Sequence, residues 1–169
     1  MRLYVMRHGV AEDHASTGRD EDRALTASGR AGVRDVAMLL AREGEMPRRI
    51  LASPLVRAAQ TAEIVAAAAK AAGWDGAVET VRDLSPGRPT RRVVDGLRDS
   101  GADVADGALI VGHEPDLSGL VHALLGDPFE LGMDKAMVVA FELEAPPGSG
   151  ATLRFIVDPR TVSLIRDQR

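Results

Sequence analysis

The sequence predicts an α/β fold, a three-layer α/β/α sandwich with a mainly parallel central sheet and a closing antiparallel strand. Apolar runs typical of buried strands lie at residues 2–6, 50–52 and 109–111. Segments with helical spacing separate them, which predicts parallel strands covered by helices on both faces. Residues 137–143 and 153–157 flank a Pro- and Gly-rich turn at 146–150 and indicate an antiparallel hairpin. We expect the tail from Asp158 to form a short helix or to fray.

Length and composition are those of one globular domain. A chain of 169 residues with 45% hydrophobic residues can build a full core, so we expect a single domain over residues 1–169. Aromatic residues make up only 3%, which leaves alanine, valine, leucine, isoleucine and methionine to fill that core. The net charge of −4 argues against a nucleic-acid partner, because such binders usually carry a basic surplus.

The sequence also lacks the features of several classes of protein. It contains no cysteine, which excludes disulfides, thiolate metal sites and a cysteine nucleophile. Histidine spacing typical of a metal site, a dinucleotide-binding glycine motif and a Walker loop are missing, so we expect neither a metal nor a cofactor. With no signal-peptide core and no apolar run long enough to span a bilayer, we expect a cytoplasmic protein without a membrane partner.

The first predicted strand breaks abruptly into Arg7-His8-Gly9. A strand with this ending delivers a cation and an imidazole to the carboxyl edge of a sheet, where open α/β folds bind ligands. Gly9 lacks a Cβ, so the backbone can turn sharply or approach a ligand closely there. Residues 10–24 follow as a charged surface loop, whose carboxylates could act as a general acid or hold an arginine.

Two helices follow with clear start signals. Thr26 is a favoured N-cap for a helix with apolar residues at helical spacing, and Gly44 is a suitable end for it. After the second strand, we expect Ser53 to cap the next helix and Pro54 to occupy its first position. Arg57 then falls in the first turn of that helix, just past a strand end.

The middle of the chain carries weaker signals. Residues 77–81 are a weak third strand, and residues 83–89 form a loop according to their proline and glycine content. Thr90 can cap a helix that runs to about Asp99, and Gly101 closes that helix. This alternation continues the pattern of the first half, so the third strand is expected to join the same sheet.

A second histidine lies at a strand-to-helix junction. His113 follows the strand at residues 109–111, just before Pro115 begins another helix. The carboxyl ends of parallel strands meet at one edge of a sheet, so groups that follow different strands converge there. We expect four side chains to meet at this edge: Arg7, His8, Arg57 and His113.

Two arginines and two histidines on one edge suit phosphoryl transfer. A transferring phosphoryl group spreads negative charge over its oxygens, so positioning and electrostatic stabilisation supply most of its catalysis. Arginine pairs its N–H groups with phosphate oxygens, and helices starting near Pro54 and Pro115 would add backbone N–H groups. A neutral imidazole can attack phosphorus to form a phosphohistidine, and a second, protonated imidazole can stabilise the developing charge.

Four motifs in this chain resemble the histidine phosphatase superfamily. Residues 7–9, Arg-His-Gly, resemble its signature, and residues 25–29, Leu-Thr-Ala-Ser-Gly, resemble the start of a family helix. Residues 53–62, Ser-Pro-Leu-Val-Arg-Ala-Ala-Gln-Thr-Ala, and residues 111–115, Val-Gly-His-Glu-Pro, are similar to its second and third motifs. The matches follow the family's order and leave the last third of the chain unmatched. The resemblance implies a phosphoglycerate-mutase-like core.

Within the superfamily, the short chain resembles the SixA-like phosphohistidine phosphatases, which lack the large helical insert of the phosphoglycerate mutases. The resemblance implies His8 as the nucleophile of a covalent phosphohistidine intermediate. It also implies a phosphate pocket built from Arg7, Gly9, Arg57 and His113. An open pocket suits a phosphorylated protein, such as a histidine phosphotransfer domain, better than a metabolite that must be enclosed.

The general acid is not identified by the sequence, and Asp83, Glu12 and Asp13 are the candidates. A phosphoramidate needs less help from an acid, because its nitrogen leaving group can be protonated before the bond breaks. The missing clear acid therefore favours phosphohistidine as substrate. Two alternatives stay open: a small-molecule phosphomonoester phosphatase or mutase on the same fold, and a non-catalytic phosphate-binding module. Binding alone needs no nucleophile, which argues against the module.

Four other residues are expected to have ordinary structural roles. His14 lies in the charged loop and His122 beside the apolar stripe of a helix, so we expect both to be structural or exposed. Lys135 precedes a late strand and could face the pocket, but we expect it to be solvated. Trp74 follows a glycine that ends a helix, and we expect it to pack against the core.

Overall fold

The computed structural model describes residues 1–99, 106–126, 132–143 and 150–166. Its strands are β1 (Arg2–Arg7), β2 (Arg49–Ala52), β3 (Val78–Thr80), β4 (Ala108–Gly112), β5 (Val138–Leu143), β6 (Ala151–Asp158) and β7 (Ser163–Arg166). Its helices are α1 (Ala27–Arg42), α2 (Val56–Ala71), α3 (Arg91–Asp99) and α4 (Asp116–Leu125), with short 3-10 turns at Asp20–Asp22 and Arg82–Leu84. The helix end predicted at Gly101, and most of the turn predicted at residues 146–150, lie outside the described residues.

The described strands form one sheet in the order β3-β2-β4-β1-β5-β6-β7. The first four run parallel, whereas β5, β6 and β7 add beside β1 as antiparallel strands. The parallel core and the closing antiparallel hairpin are thus confirmed. The expectation for the tail after Asp158 is wrong, because Ser163–Arg166 pair with β6 as a strand. An unpaired strand edge offers backbone donors and acceptors, and β7 satisfies those of β6.

Helices cover both faces of this sheet. Alternate residues of a strand point to opposite faces. Tyr4 and Met6 of β1 therefore pack into one hydrophobic cluster with α1 and α2, while Leu3 and Val5 pack into another with α3 and α4. Trp74 packs against the first cluster, as expected. The three-layer α/β/α architecture is confirmed, and its helices leave the carboxyl edge of the parallel strands free to carry the site.

The start of α2 differs from the prediction. Leu55 is the N-cap residue and Val56 begins the helix, with no side chain capping it. Ser53 is buried, and its hydroxyl lies 2.9 Å from Nε2 of His113. Residues Ser53 and Pro54 therefore link β2 to α2 instead of starting the helix. The partner of the serine oxygen is thus His113, at the end of the neighbouring strand β4, and the local sequence does not show this contact.

The start of α1 agrees with the prediction. Thr26 Oγ1 accepts a hydrogen bond from the N–H of Gly29 at 2.9 Å, as an N-cap does. The Thr26 N–H donates to the Val10 carbonyl oxygen at 3.0 Å and ties the charged loop to the helix. A Cβ built on Gly29 would lie 1.9 Å from that same carbonyl oxygen. Loop and helix are thus too close to admit any side chain at this position.

Gly29→Ala should therefore destabilise the protein by about 3 kcal/mol, because the loop must move to admit the new methyl group. Gly32→Ala is the matched control on the same helix, since a Cβ at Gly32 would meet open space. Alanine favours a helix by about 1 kcal/mol over glycine, so this control should be neutral or stabilising. Urea unfolding measures both variants. Equal free energies of unfolding for the two would contradict the close packing of Val10 on α1.

Candidate active site

The ends of β1 and β4 lie side by side and bring two histidines together. Arg7 pairs with Gly112 in the parallel register, and the His8 N–H donates to the Gly112 carbonyl oxygen at 3.2 Å. The rings of His8 and His113 follow, with their centroids 5.0 Å apart. Both histidines are buried, with 4% and 3% of their surfaces exposed. Parallel pairing thus brings these two distant residues of the sequence to one place.

One hydrogen bond indicates which nitrogen of His8 carries the proton. Nδ1 lies 2.7 Å from the Gly9 carbonyl oxygen. A carbonyl can only accept, so we assign the proton to Nδ1, which leaves Nε2 without a proton. Burial, and then the charge of Lys135, lowers the pKa of His8 to about 3, so the ring is neutral at pH 7. Nε2 is therefore an unprotonated nitrogen with nucleophilic character.

Gly9 is held between the two helices on one face of the sheet. Its N–H donates to Thr61 Oγ1 at 3.1 Å, and the Thr61 hydroxyl donates to the Arg57 carbonyl oxygen at 2.7 Å. A Cβ on Gly9 would lie 2.6 Å from a methyl carbon of Val33 in α1. Glycine is needed here for close packing against α1. That packing fixes the carbonyl group that orients the His8 ring.

Arg57 presents a buried guanidinium that the charged loop holds in place. Nη1 donates to the Asp20 carbonyl oxygen at 2.8 Å, and Nη2 donates to the Asp20 carboxylate at 3.0 Å. Partial burial acts to raise the pKa of Asp20, but Arg57 and then Arg23 outweigh it and lower that pKa below its usual value. The carboxylate therefore stays ionised at neutral pH. Of the two roles considered for the loop carboxylates, Asp20 has that of holding an arginine.

Arg7, Arg57 and His113 each keep a buried nitrogen without a partner among the described residues. Arg7 Nη1 donates to the Met133 carbonyl oxygen at 2.6 Å, but Nε of both arginines has no partner there. His113 Nε2 lies 2.9 Å from Ser53 Oγ, and its Nδ1 is likewise unpartnered. Buried polar atoms of this kind are costly unless something satisfies them. The pocket thus has unused hydrogen-bonding capacity, most of it from donors.

The protonation of His113 differs from the sequence-based mechanism, which gives it a proton. Burial, followed by the charges of Arg57 and Lys135, lowers the pKa of His113 to about 4. Its ring is therefore neutral at pH 7. The main cause is burial of the ring, and the surrounding cations add to it; motif spacing reveals neither. A phosphoryl dianion among those cations would act in the opposite direction and raise the pKa of His113.

Lys135 faces the site, so the expectation of a solvated lysine is wrong. It is half-buried, and its Nζ lies 3.5 Å from Nε2 of His8. Antiparallel pairing of β5 with β1 sets the segment before β5 against the end of β1. Burial, and then Arg7, lowers the pKa of Lys135 to about 8. His14 and His122 are exposed, as expected.

None of the three candidate general acids has a polar partner in the pocket among the described residues. Within the described ranges, no hydrogen bond or ion pair joins the carboxylates of Glu12, Asp13 or Asp83 to a pocket side chain. Glu12 and Asp13 are exposed, and Asp83 lies in the second 3-10 turn with its backbone carbonyl oxygen accepting from Thr90. Their role as general acids therefore stays a prediction that no hydrogen bond or ion pair in the described residues supports.

Two other carboxylates lie beside the pocket: sequence reasoning covered Asp20 only as one of the loop carboxylates at residues 10–24, and it gave Glu114 no role. Asp20 holds Arg57, as described above. Glu114 accepts a hydrogen bond from the Ser118 hydroxyl at 2.6 Å through one oxygen, while the other is buried and unpartnered in the described chain. Its charge acts on Arg7, where it partly opposes the lowering of the pKa by burial. The available signal for Glu114 was its place directly after His113.

An open cavity of about 700 Å³ lies next to the first turn of α2. The two 3-10 turns and the link from β2 form its walls. Three arginines line it, Arg19, Arg82 and Arg88, together with the carboxylates of Glu21 and Asp22. A groove of this volume and mixed charge, opening beside the Arg57 helix, can admit a side chain that projects from a larger molecule.

The two buried histidines should make the protein less stable as the pH falls. Each has a folded pKa far below its unfolded value of about 6.5, so between these values the unfolded chain binds protons that the folded chain does not. The contribution of these histidines to the free energy of unfolding is therefore fully present above about pH 6.5. It decreases toward pH 4 by up to about 1.4 kcal/mol per pH unit for each imidazole. Denaturant unfolding at several pH values, of wild type and of the double variant His8→Asn/His113→Asn, measures this pH dependence. Identical pH slopes would contradict the buried neutral rings.

Two kinds of feature are absent from the described residues. No group of three or more histidine, aspartate or glutamate side chains is arranged to hold a metal ion among them. None of the helices in the described ranges has the length and apolar character needed to cross a membrane.

Comparison with known proteins gives matches to sequence and to structure. The model of the histidine phosphatase superfamily (branch 1) matches residues 3–85. An uncharacterized protein of Picosynechococcus sp. is 36% identical over 124 residues, which span 73% of each chain. The first of these matches covers the end of β1 and the first turn of α2, where Arg7, His8 and Arg57 lie.

Solved structures share the fold at lower identity. The protein histidine phosphatase SixA complexed with tungstate matches with a TM-score of 0.83 and 24% identity, covering 96% of this chain and 100% of that one. A mycobacterial glucosyl-3-phosphoglycerate phosphatase with inorganic phosphate matches with a TM-score of 0.67 and 18% identity, covering 90% and 94%. Fold, motif order and family match agree, and this chain belongs to the histidine phosphatase superfamily.

Proposed function

We propose that this protein is a phosphohistidine phosphatase that removes phosphate from a protein through a covalent intermediate on His8. Membership of the superfamily supports a phosphatase activity. The observation that carries the finer proposal is the unprotonated Nε2 of His8, which faces a pocket of cations. A phosphorylated histidine phosphotransfer domain in the cytoplasm is the kind of substrate we propose. The catalytic set consists of Arg7, His8, Arg57 and His113.

In the first step, the lone pair of His8 Nε2 attacks phosphorus. The new N–P bond forms as the bond to the substrate nitrogen breaks, and the leaving imidazole keeps the proton it has taken up from water. The Nε–H groups of Arg7 and Arg57, which lack protein partners among the described residues, are available to the phosphoryl oxygens. Their charges would stabilise the transition state more than the ground state as negative charge develops.

In the second step, water attacks the phosphorus of phosphorylated His8. The N–P bond breaks, its electron pair returns to Nε2, and the phosphoryl group leaves on the water oxygen as dihydrogen phosphate, which releases one proton to solvent. The Ser53 hydroxyl can donate to Nε2 of His113, which leaves Nδ1–H of that ring for a phosphoryl oxygen. The bound dianion would raise the pKa of His113, so the ring can gain positive charge when it is needed.

Two observations favour a phosphorylated protein over a small phosphomonoester. The groove beside α2 is open, and within the described residues the candidate general acids form no hydrogen bond or ion pair with a pocket side chain. A small phosphomonoester is the second candidate. Its alkoxide leaving group would need a general acid, and Asp20, which lies beside Arg57, is a carboxyl group near enough to consider for that role. The lowered pKa of Asp20 keeps it ionised and makes it a poor proton donor.

The test compares turnover of a phosphohistidine-bearing carrier protein, free phosphohistidine and a panel of alkyl and aryl phosphomonoesters. Preferential hydrolysis of the carrier protein, abolished by His8→Ala, is the expected result. Rapid quenching should also trap a phosphoryl group on the enzyme that is labile to acid and stable to base. Faster turnover of an alkyl phosphomonoester would move the protein to the metabolite phosphatases. Phosphate binding without turnover of any substrate would favour a non-catalytic module.

A further inference from the structure

We propose that Lys135 is a catalytic residue, whose ammonium group binds an equatorial oxygen of the phosphoryl group while His8 attacks phosphorus. This inference rests on the proposed function, because it assigns a role within that reaction. Lys135 Nζ lies 3.5 Å from His8 Nε2, the atom that would form the bond to phosphorus. A group this close to the nucleophile must meet any phosphoryl group that binds there.

The segment that carries Lys135 is attached directly to the catalytic strand end. The Ala136 N–H lies 3.2 Å from the carbonyl oxygens of both Arg7 and His8, and the Arg7 N–H donates to the Met137 carbonyl oxygen at 3.1 Å. Ala136 itself has a φ of 68°, in the left-handed region that alanine rarely adopts. Strained backbone of this kind persists where the surroundings enforce it, and it clusters at functional sites. The position of the ammonium group is thus determined by the site.

The charges around Lys135 favour an anion as its partner. Within the described chain no carboxylate forms an ion pair with it, and the charges that lower its pKa most belong to Arg7 and then Arg57. Glu114 opposes them with a smaller effect. Arg57 is paired with Asp20, but neither Arg7 nor Lys135 forms an ion pair within the described residues, and cations that converge in a half-buried site in this way are costly to keep together. A phosphoryl dianion would remove that cost by accepting hydrogen bonds from all of them.

The position of Lys135 shows whether its ammonium group would contact an equatorial phosphoryl oxygen or the leaving group. In an in-line displacement, the leaving atom lies on the far side of phosphorus from the attacking nitrogen. Lys135 Nζ lies beside the attacking nitrogen of His8, so it reaches an equatorial oxygen and not the leaving group. Binding of substrate would exchange its contact with Nε2 for one with that oxygen. The exchange releases the lone pair of His8 at the moment when phosphorus arrives.

The chain offers a matched control for this role, because it contains only two lysines. Lys135→Met keeps an unbranched side chain that is one atom shorter and removes its charge, and should lower kcat/KM by about 100-fold. It should weaken the binding of tungstate, used as a phosphate mimic, to a similar extent. Lys135→Arg should recover part of both losses. Lys70→Met removes an exposed lysine near Trp74 and should change neither.

A second measurement does not depend on the folding of a position-135 variant. Reductive methylation with a 13C reagent keeps the positive charge of each lysine. In the Lys70→Arg protein it labels Lys135 and the N-terminal amine alone. Addition of tungstate should shift the NMR signal of methylated Lys135 and leave that of the N-terminus unchanged. An unchanged Lys135 signal, with tungstate bound as judged by calorimetry, would overturn the contact.

The outcomes separate this inference from the proposed function. If wild type hydrolyses phosphohistidine and Lys135→Met matches it in both kcat/KM and tungstate affinity, Lys135 has no catalytic role. If wild type hydrolyses none of the substrates, the proposed function fails. The tungstate titrations then decide alone whether Lys135 binds an oxyanion beside His8.

Discussion

Replacing His8 with alanine should lower kcat/KM for the preferred phosphorylated substrate by about 10³-fold or more, equivalent to about 4 kcal/mol of barrier. Alanine removes Nε2, the atom that we propose forms the bond to phosphorus. Water admitted to the vacated space is a weaker and less well oriented nucleophile than a neutral imidazole held through Nδ1 by the Gly9 carbonyl group. Steady-state kinetics on the phosphohistidine carrier protein measures the loss.

His14→Ala is the matched control for this substitution. His14 is exposed in the charged loop, so its removal should leave kcat/KM unchanged. Tungstate should still bind His8→Ala, because the arginines and His113 remain, and this shows that the pocket is intact. If kcat/KM of His8→Ala stays within about 10-fold of wild type, the covalent mechanism is wrong.

Arg57→Ala should be impaired nearly as strongly, with kcat/KM lower by about 10³-fold. The substitution removes a buried guanidinium that has no partner for its Nε–H among the described residues, and that we propose binds a phosphoryl oxygen. A phosphoryl oxygen would lose both a hydrogen bond and a charge as the transition state forms. The same kinetic assay measures the effect, and the loss should appear in kcat as well as in KM.

The fold should survive this change. The carboxylate that Arg57 leaves behind belongs to Asp20, whose side chain is 65% exposed and stays hydrated. Arg57→Lys keeps the charge but lacks the planar set of donors, so it should restore little activity. Arg91→Ala removes an exposed arginine on α3 and should behave as wild type. Near-normal kcat/KM for Arg57→Ala, with unfolding like that of wild type, would remove Arg57 from the proposed mechanism.

Features that depend on neighbouring residues were predictable from the sequence. The apolar run before Arg7 forms β1, and the run before His113 forms β4. Thr26 caps α1 as its residue type suggests. In each case the signal and the structure lie within a few residues of one another, since strand burial and N-capping depend mainly on the local chain.

Features that depend on distant partners were predicted poorly. Ser53 has the residue type of an N-cap, but its hydroxyl meets His113 across the sheet. The tail becomes β7 because β6 offers it an unpaired edge. Lys135 reaches His8 only because β5 pairs with β1. No local pattern encodes that β5 will lie beside β1. The sequence therefore does not indicate that Lys135, expected in solvent, lies close to His8.

The residue types of the site could be read from the chain, but their protonation states could not. Motif order and the rule for parallel strand ends are sufficient to select Arg7, His8, Arg57 and His113 from the sequence. Only the tertiary structure makes both histidines neutral and lowers the pKa of Lys135. Desolvation and Coulomb interactions depend on burial and on distances between atoms, and folding alone sets both for residues far apart in the sequence.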